Sequence, residues 1–329
     1  MRVVEAKQFG GPEVLTVTEA PDPAPGPGEV VVRVAAADVM FLDTTLRSGV
    51  ASQWFAVEPP FVPGGAIAGT VAAVGSDVDP AWIGRRVATA TAASGIGSGL
   101  PIGGYAELAL AKAETLAEIP EALDVVRAAA LVHDGRTALA IVDRAPIPSG
   151  QWVLITAAGG GLGTLFIQLA RAAGARVVAA ARGAAKLALA QRLGADLVID
   201  YSHPDWVEQV RAHTGGVHLV LDGAGGEIGG AALAALESGG VFVAYGTSAG
   251  GFAAVDPEGA AAQGITVVPL FDIATPDTDW LALHERAQTA AAAGRLEVVV
   301  GQTFPLSEAA AAHAAIEARS AVGRTILTV

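Results

Sequence analysis

One stretch limits what this chain can fold into more than any other: Val153-Leu154-Ile155-Thr156-Ala157-Ala158-Gly159-Gly160-Gly161-Leu162-Gly163-Thr164-Leu165-Phe166-Ile167-Gln168-Leu169-Ala170-Arg171. A short apolar run, a glycine turn and a helix start follow one another, the order that a pyrophosphate site requires. Gly160 lets the backbone approach the ligand. Gly163 lets the helix lie close on the strand, and the unpaired N–H groups of the helix N-terminus face the anion. Ala158 takes the place of the usual first glycine. The candidate contacts are Ala158, Gly160, Gly161, Leu162 and Gly163. A tight turn with no ligand is the alternative, and the residues after it bear on that choice.

The second apolar run, Arg176-Val177-Val178-Ala179-Ala180, ends in Ala181-Arg182, with Lys186 one turn further on. A site for NAD wants an acidic residue here to accept from the ribose 2′-hydroxyl. Two cations and no carboxylate favour the extra phosphate of NADPH, which Arg grips with two N–H groups while Lys adds a point charge. As ordinary solvated charges at a helix start, the two would carry no such meaning.

Five apolar strand candidates follow one another in this half: 151–155, 176–180, 197–199, 219–222 and 241–245, with 264–268 as a sixth. Ala-rich helical stretches separate them. Strand, helix, strand repeated this way means right-handed crossovers and a doubly wound parallel sheet, so the class is α/β. Residues 1–122 read differently, as short β-like runs broken by turns such as Pro21-Asp22-Pro23-Ala24-Pro25-Gly26-Pro27-Gly28, a β-rich domain. The pattern places the nucleotide domain at 123–271 and returns residues 272–329 to the first domain.

At 329 residues the chain has room for about two domains. Its net charge of −13 repels phosphate backbones and anionic lipid surfaces, which argues against nucleic acid and membrane partners. Without cysteine there are no disulfides, thiolate nucleophiles or Cys-bearing zinc sites. The uncharged stretch 145–170 looks at first like a membrane span, but Pro146, Pro148, Gly150 and the glycine turn break it. A soluble, cytoplasmic protein is the expectation.

Taken together, these features resemble the zinc-free quinone oxidoreductase branch, the zeta-crystallin-like proteins, of the medium-chain dehydrogenase/reductase superfamily. The resemblance runs essentially end to end. It rests on Phe9-Gly10-Gly11-Pro12-Glu13-Val14-Leu15, Asp43-Thr44-Thr45-Leu46-Arg47-Ser48-Gly49, Pro63-Gly64, Gly104-Tyr105-Ala106-Glu107, Asp134-Gly135-Arg136-Thr137-Ala138, the glycine turn, Asp222-Gly223-Ala224-Gly225, Tyr245-Gly246-Thr247 and Gly323-Arg324. It implies a GroES-like catalytic domain split in sequence around a Rossmann domain that holds NADPH. It also implies a homodimer joined by edge strands, here from Gly264 to Phe271.

By the same resemblance Thr137, Tyr245, Gly246 and Thr247 lie near the nicotinamide and its carboxamide, Asp222 and Gly223 beside the ribose, and Arg182, Lys186 and Tyr201 around the 2′-phosphate. Gly64-Gly65-Ala66 stands where zinc-dependent relatives carry Gly-His-Glu. That points to direct hydride transfer to an electron-poor acceptor, a quinone or a conjugated enone, with no obligatory side-chain acid. Two alternatives stand: an enoyl-thioester reductase, whose carrier would need a basic entrance from Arg47, Arg85, Arg86 and Arg136, and a non-catalytic NADPH-binding or sensing protein.

The family's Asn-x-x-Asp pattern reads Met40-Phe41-Leu42-Asp43 here, and Thr45 stands in the usual Tyr place. Met40, Phe41, Thr45 and Trp54 are the candidate lining of an apolar acceptor pocket, or else ordinary core. His133 beside Asp134 resembles a proton-donating pair for the reduced product. The competing reading is a structural histidine at a helix-to-loop junction. Asp43 and Arg47, four residues apart, are expected to pair on one helical turn.

Overall fold

The computed structural model describes residues 1–53, 55–96 and 100–329, and Trp54 lies outside the described residues. Among them, strands Trp152–Ile155, Arg176–Ala181, Leu197–Asp200, Val217–Asp222, Leu236–Ala244 and Thr266–Pro269 form one sheet. Every neighbouring pair in it is parallel. Counting along the chain, the spatial order is third, second, first, fourth, fifth, sixth. Val153, Leu154 and Ile155 are all fully buried, as residues on both faces of a covered parallel strand must be. The order reverses between Trp152–Ile155 and Val217–Asp222. There the crossovers diverge to opposite sides and leave a crevice at the carboxyl ends of the strands, where ligands bind in such sheets.

This sheet belongs to one of two units, Thr137–Asp279; the other joins Met1–Arg136 to Trp280–Val329. The second centres on the antiparallel strand Glu29–Val39. It pairs with Ala66–Val74, Leu108–Lys112 and the C-terminal strand Arg324–Thr328, and Val300–Pro305 extends the sheet beyond the last of these. The architecture is therefore α/β, a β-rich unit and a Rossmann unit.

The units divide at 136/137 and 279/280, whereas the change of sequence texture falls at 122/123 and 271/272. The helix Val125–Arg144 explains the first difference, because its beginning is part of the first unit's core. Ala128 to Val132 are buried, and a Cβ on Gly135 would lie 2.7 Å from Ala287 of the helix Trp280–Ala292. That contact also ties residue 280 onward to the first unit. Among the described residues no helix is long and apolar enough to cross a membrane.

Candidate functional site

The glycine turn folds as its spacing requires. Ala157 takes the left-handed backbone at φ 50°, the Ala158 N–H bonds the Ala180 carbonyl at 3.1 Å, and the helix Gly161–Ala172 starts at Gly160 with no side-chain cap. Its first N–H groups are therefore unpaired. A Cβ on Gly163 would meet Ala157 O at 2.6 Å and Ala158 Cα at 2.7 Å, so this glycine is needed for the helix to sit on the strand. A Cβ on Gly160 would meet only Ala157 O, at an ordinary 3.4 Å, which leaves open space above the turn.

Lys186 comes to this turn, its side-chain stem lying where a Cβ on Gly159 would be, 2.6 Å from both Cβ and Cγ. Arg182 is exposed at the end of the second strand, and the Tyr201 N–H bonds the Ala181 carbonyl next to it. The three candidate 2′-phosphate residues thus stand around one strand end.

Across the switch point, Asp222 ends the strand Val217–Asp222 with its carboxylate buried. Thr156 Oγ1 donates to it at 2.5 Å, and the Ala224 and Gly225 N–H groups donate at 3.1 and 3.2 Å. Burial pushes its pKa up while these donors pull it down. The same Thr156 oxygen accepts from the Gly223 and Ala224 N–H groups at 3.0 and 3.1 Å. Asp222 therefore shapes the loop that presents Gly223. Thr156 is missing from the sequence-based site; its signal was a polar residue ending an otherwise apolar strand.

Tyr245 stacks at 5.1 Å on Phe166 of the glycine-turn helix, and its ring lies against Gly223. A Cβ on Gly246 would strike Gly223 O at 2.1 Å, so the two loops touch backbone to backbone. Thr247 follows, half-buried, with its carbonyl bonded to the Gly250 N–H at 2.9 Å. Thr137 lies within the helix Val125–Arg144, half-buried.

In the first unit, Met40 precedes the helix Phe41–Ser48, and Phe41 and Thr45 share one of its faces, all three half-buried. The Thr45 hydroxyl is spent on the Leu42 carbonyl at 2.8 Å. Asp43 caps the helix, accepting from the Met40 N–H at 2.8 Å and from the Tyr105 hydroxyl at 3.3 Å. Burial raises it to about 6. Tyr105 also meets His313 Nε2 at 3.0 Å. The expected Asp43–Arg47 pair does not form, because Arg47 is buried and turns to Glu317 of the helix Ala309–Glu317.

The expected His133–Asp134 pair does not form either. His133 lies well inside its helix rather than at a junction, and burial with the Arg136 charge beside it lowers its pKa well below the ordinary value. A ring kept neutral is a poor proton donor, which corrects the proton-donating expectation. Asp134 instead bonds Arg324 at 3.3 Å, and Arg324 grips Asp38 with two nitrogens, Nε at 2.9 Å and Nη2.

The alcohol dehydrogenase GroES-like domain family matches residues 26–121, and the zinc-binding dehydrogenase family matches residues 161–301. The 2-haloacrylate reductase of a Burkholderia species is 33% identical over 336 residues, covering 97% of this chain and 96% of that protein. The quinone oxidoreductase of Pseudomonas aeruginosa is 31% identical over 330 residues, 98% of each. The structure of Escherichia coli quinone oxidoreductase complexed with NADPH superposes with a TM-score of 0.90 at 29% identity over the whole of both chains. A GroES-like unit joined to a Rossmann unit with this glycine turn defines a two-domain oxidoreductase. The chain belongs to the zinc-free quinone oxidoreductase branch of the medium-chain dehydrogenase/reductase superfamily.

Proposed function

We propose that this chain uses NADPH to reduce a small, apolar, electron-poor acceptor, a quinone or a conjugated enone. The observation that carries the reading is the uncapped, open glycine turn with the Lys186 stem laid across it and Arg182 at the neighbouring strand end. The helix N-terminus and the Gly160 backbone would hold the pyrophosphate, and Arg182 with Lys186 the 2′-phosphate. Tyr245, Gly246 and Thr247 would border the nicotinamide from this unit, with Thr137. When bound, the nucleotide supplies the hydride. The chain's own residues orient it and fix where the acceptor lies, with Met40, Phe41 and Thr45 as the expected acceptor lining.

Of the four arginines weighed for a thioester carrier's basic entrance, three are engaged within the chain. Arg47 is paired with Glu317 and Arg85 with Glu118, while Arg86 donates to the Leu123 carbonyl at 2.8 Å. A homodimer is part of the proposal, through the edge strand Thr266–Pro269. Beside it Phe271 is 70% exposed and stacks edge-on against Phe252 at 6.2 Å, apolar surface of the kind that an interface covers.

Fluorescence titration with NADPH and NADH tests the nucleotide assignment. Arg182→Ala is expected to raise the Kd for NADPH by roughly 10- to 100-fold, the loss of charge-assisted hydrogen bonds to a phosphate, and to leave that for NADH nearly unchanged. Equal weakening of both nucleotides, or of neither, would overturn it.

A further inference from the structure

The strand Leu197–Asp200 is an edge of the parallel sheet, and its last residue stands opposite Ala181 in register. An NAD site carries its acidic residue at the end of the second strand. This chain has Arg182 there, and its carboxylate, Asp200, one strand over. Both oxygens of that carboxylate are taken by the chain itself. Oδ2 accepts from the Gly183 N–H at 3.1 Å, and Oδ1 accepts from the Ser202 N–H at 2.9 Å and from the Ser202 hydroxyl at 2.6 Å. Burial would raise this carboxyl, but the Ser202 donors, the Gly183 N–H and the His203 charge together hold it below its ordinary value, so it is ionised at neutral pH.

The bond to Gly183 matters because of the backbone there. Its φ of 88° lies in the region that glycine enters without steric cost, and no atom lies within 4 Å of where a Cβ would be, so packing does not hold the segment in place. Gly183 is also the first residue before the helix Ala184–Arg192, whose N-terminus has no side-chain cap. On the other side of Arg182, the Ala181 carbonyl accepts from the Tyr201 N–H at 3.3 Å. Residues 200 and 201 therefore clamp the backbone of Arg182 from both sides. The same Asp200–Gly183 bond fixes where the helix that carries Lys186 begins.

We infer that Asp200 is a positioning residue for the 2′-phosphate of NADPH: it fixes the Ala181-Arg182-Gly183 backbone from which Arg182 and Lys186 reach that phosphate, and so sets the preference for NADPH over NADH. This rests on the reading above that those two cations take the phosphate. A carboxylate near a phosphate would weaken binding if charge alone counted. Here that charge is met by N–H and O–H donors of its own chain, and what Asp200 supplies is order in an exposed, glycine-containing segment whose long cation would otherwise lose conformational entropy on binding.

The test is calorimetric titration with adenosine 2′,5′-bisphosphate and with 5′-AMP, two probes that differ in the 2′-phosphate and lack the nicotinamide. Native protein is expected to bind the bisphosphate more tightly. Asp200→Ala should raise the Kd of the bisphosphate roughly 10-fold and change that of 5′-AMP by less than about twofold, with Asp200→Asn, which keeps one acceptor oxygen, between the two. Combined with Arg182→Ala, Asp200→Ala should add almost nothing, because it acts through that side chain. Thermal unfolding of each variant runs alongside, and the asparagine variant carries the test if the alanine variant does not fold. Equal weakening of both probes would make Asp200 a structural residue only, tighter binding of the bisphosphate would make it a source of repulsion, and unchanged binding or additive losses would remove its link to Arg182; each overturns the assignment. Native protein that binds 5′-AMP as tightly as the bisphosphate would overturn the phosphate reading itself, a failure visible before any variant is made.

Discussion

Gly160→Val is expected to raise the Kd for NADPH at least about 100-fold, some 2.7 kcal/mol, while leaving Tm almost where it was. The separation follows from what surrounds the residue. Its backbone is extended, at φ −88° and ψ 178°, a conformation valine adopts readily, and a Cβ there meets only Ala157 O at 3.4 Å. The added methyl groups occupy the open space where the pyrophosphate must approach the helix N-terminus. Gly163→Val is the internal contrast, since its Cβ would collide with the backbone of Ala157 and Ala158 at 2.6 and 2.7 Å. It should lower Tm as well as binding. Titration with NADPH and thermal unfolding of both variants check the pair; unchanged NADPH affinity in Gly160→Val would remove the turn from the site.

The second large effect is on stability. Arg324→Met is expected to destabilise the first unit by about 3–5 kcal/mol, because it leaves Asp38 and Asp134 buried and without their cation. Asp38 already stands at about 7, pushed up by burial against the pull of Arg324, and the substitution raises it further. A carboxyl whose folded pKa lies above its unfolded 3.8 contributes stability that is full below about pH 4 and is lost as pH rises through the folded value. The deficit of Arg324→Met should therefore be larger at pH 8 than at pH 5. Urea unfolding, with hydrogen exchange in the strands Glu29–Val39 and Arg324–Thr328, measures it. The triple variant Asp38→Leu, Asp134→Leu, Arg324→Met should recover most of the loss. A deficit below about 1 kcal/mol for the single variant would show that the network does not stabilise the fold.

The nucleotide half of the molecule was legible in the sequence for a physical reason. Strands covered on both faces read as unbroken apolar runs, and a helix pressed on a strand demands glycine at 163, so spacing alone carried the information. The buried ion pairs were not legible. Arg47 has Asp43 four residues away yet joins Glu317, and Arg324 reaches back to Asp38. Partner choice there is decided by which strands and helices pack together, and the helical (i, i+4) rule gives way once Asp43 is taken up as a helix cap by the Met40 N–H and by Tyr105. His133 was misjudged for the same reason. Its neighbour in sequence is Asp134, but three residues on along the helix is Arg136, and the helix period sets the contact.

The central claim is that this zinc-free chain moves a hydride from NADPH to an electron-poor acceptor. The measurement that bears on it most directly is the initial rate of NADPH oxidation by purified protein, dialysed against EDTA, with a panel of quinones and conjugated enones, and with NADH as the comparison. The account predicts turnover that survives the dialysis and is faster with NADPH than with NADH. NADPH bound tightly but oxidised by none of these acceptors, or activity that returns only with added zinc, would contradict it.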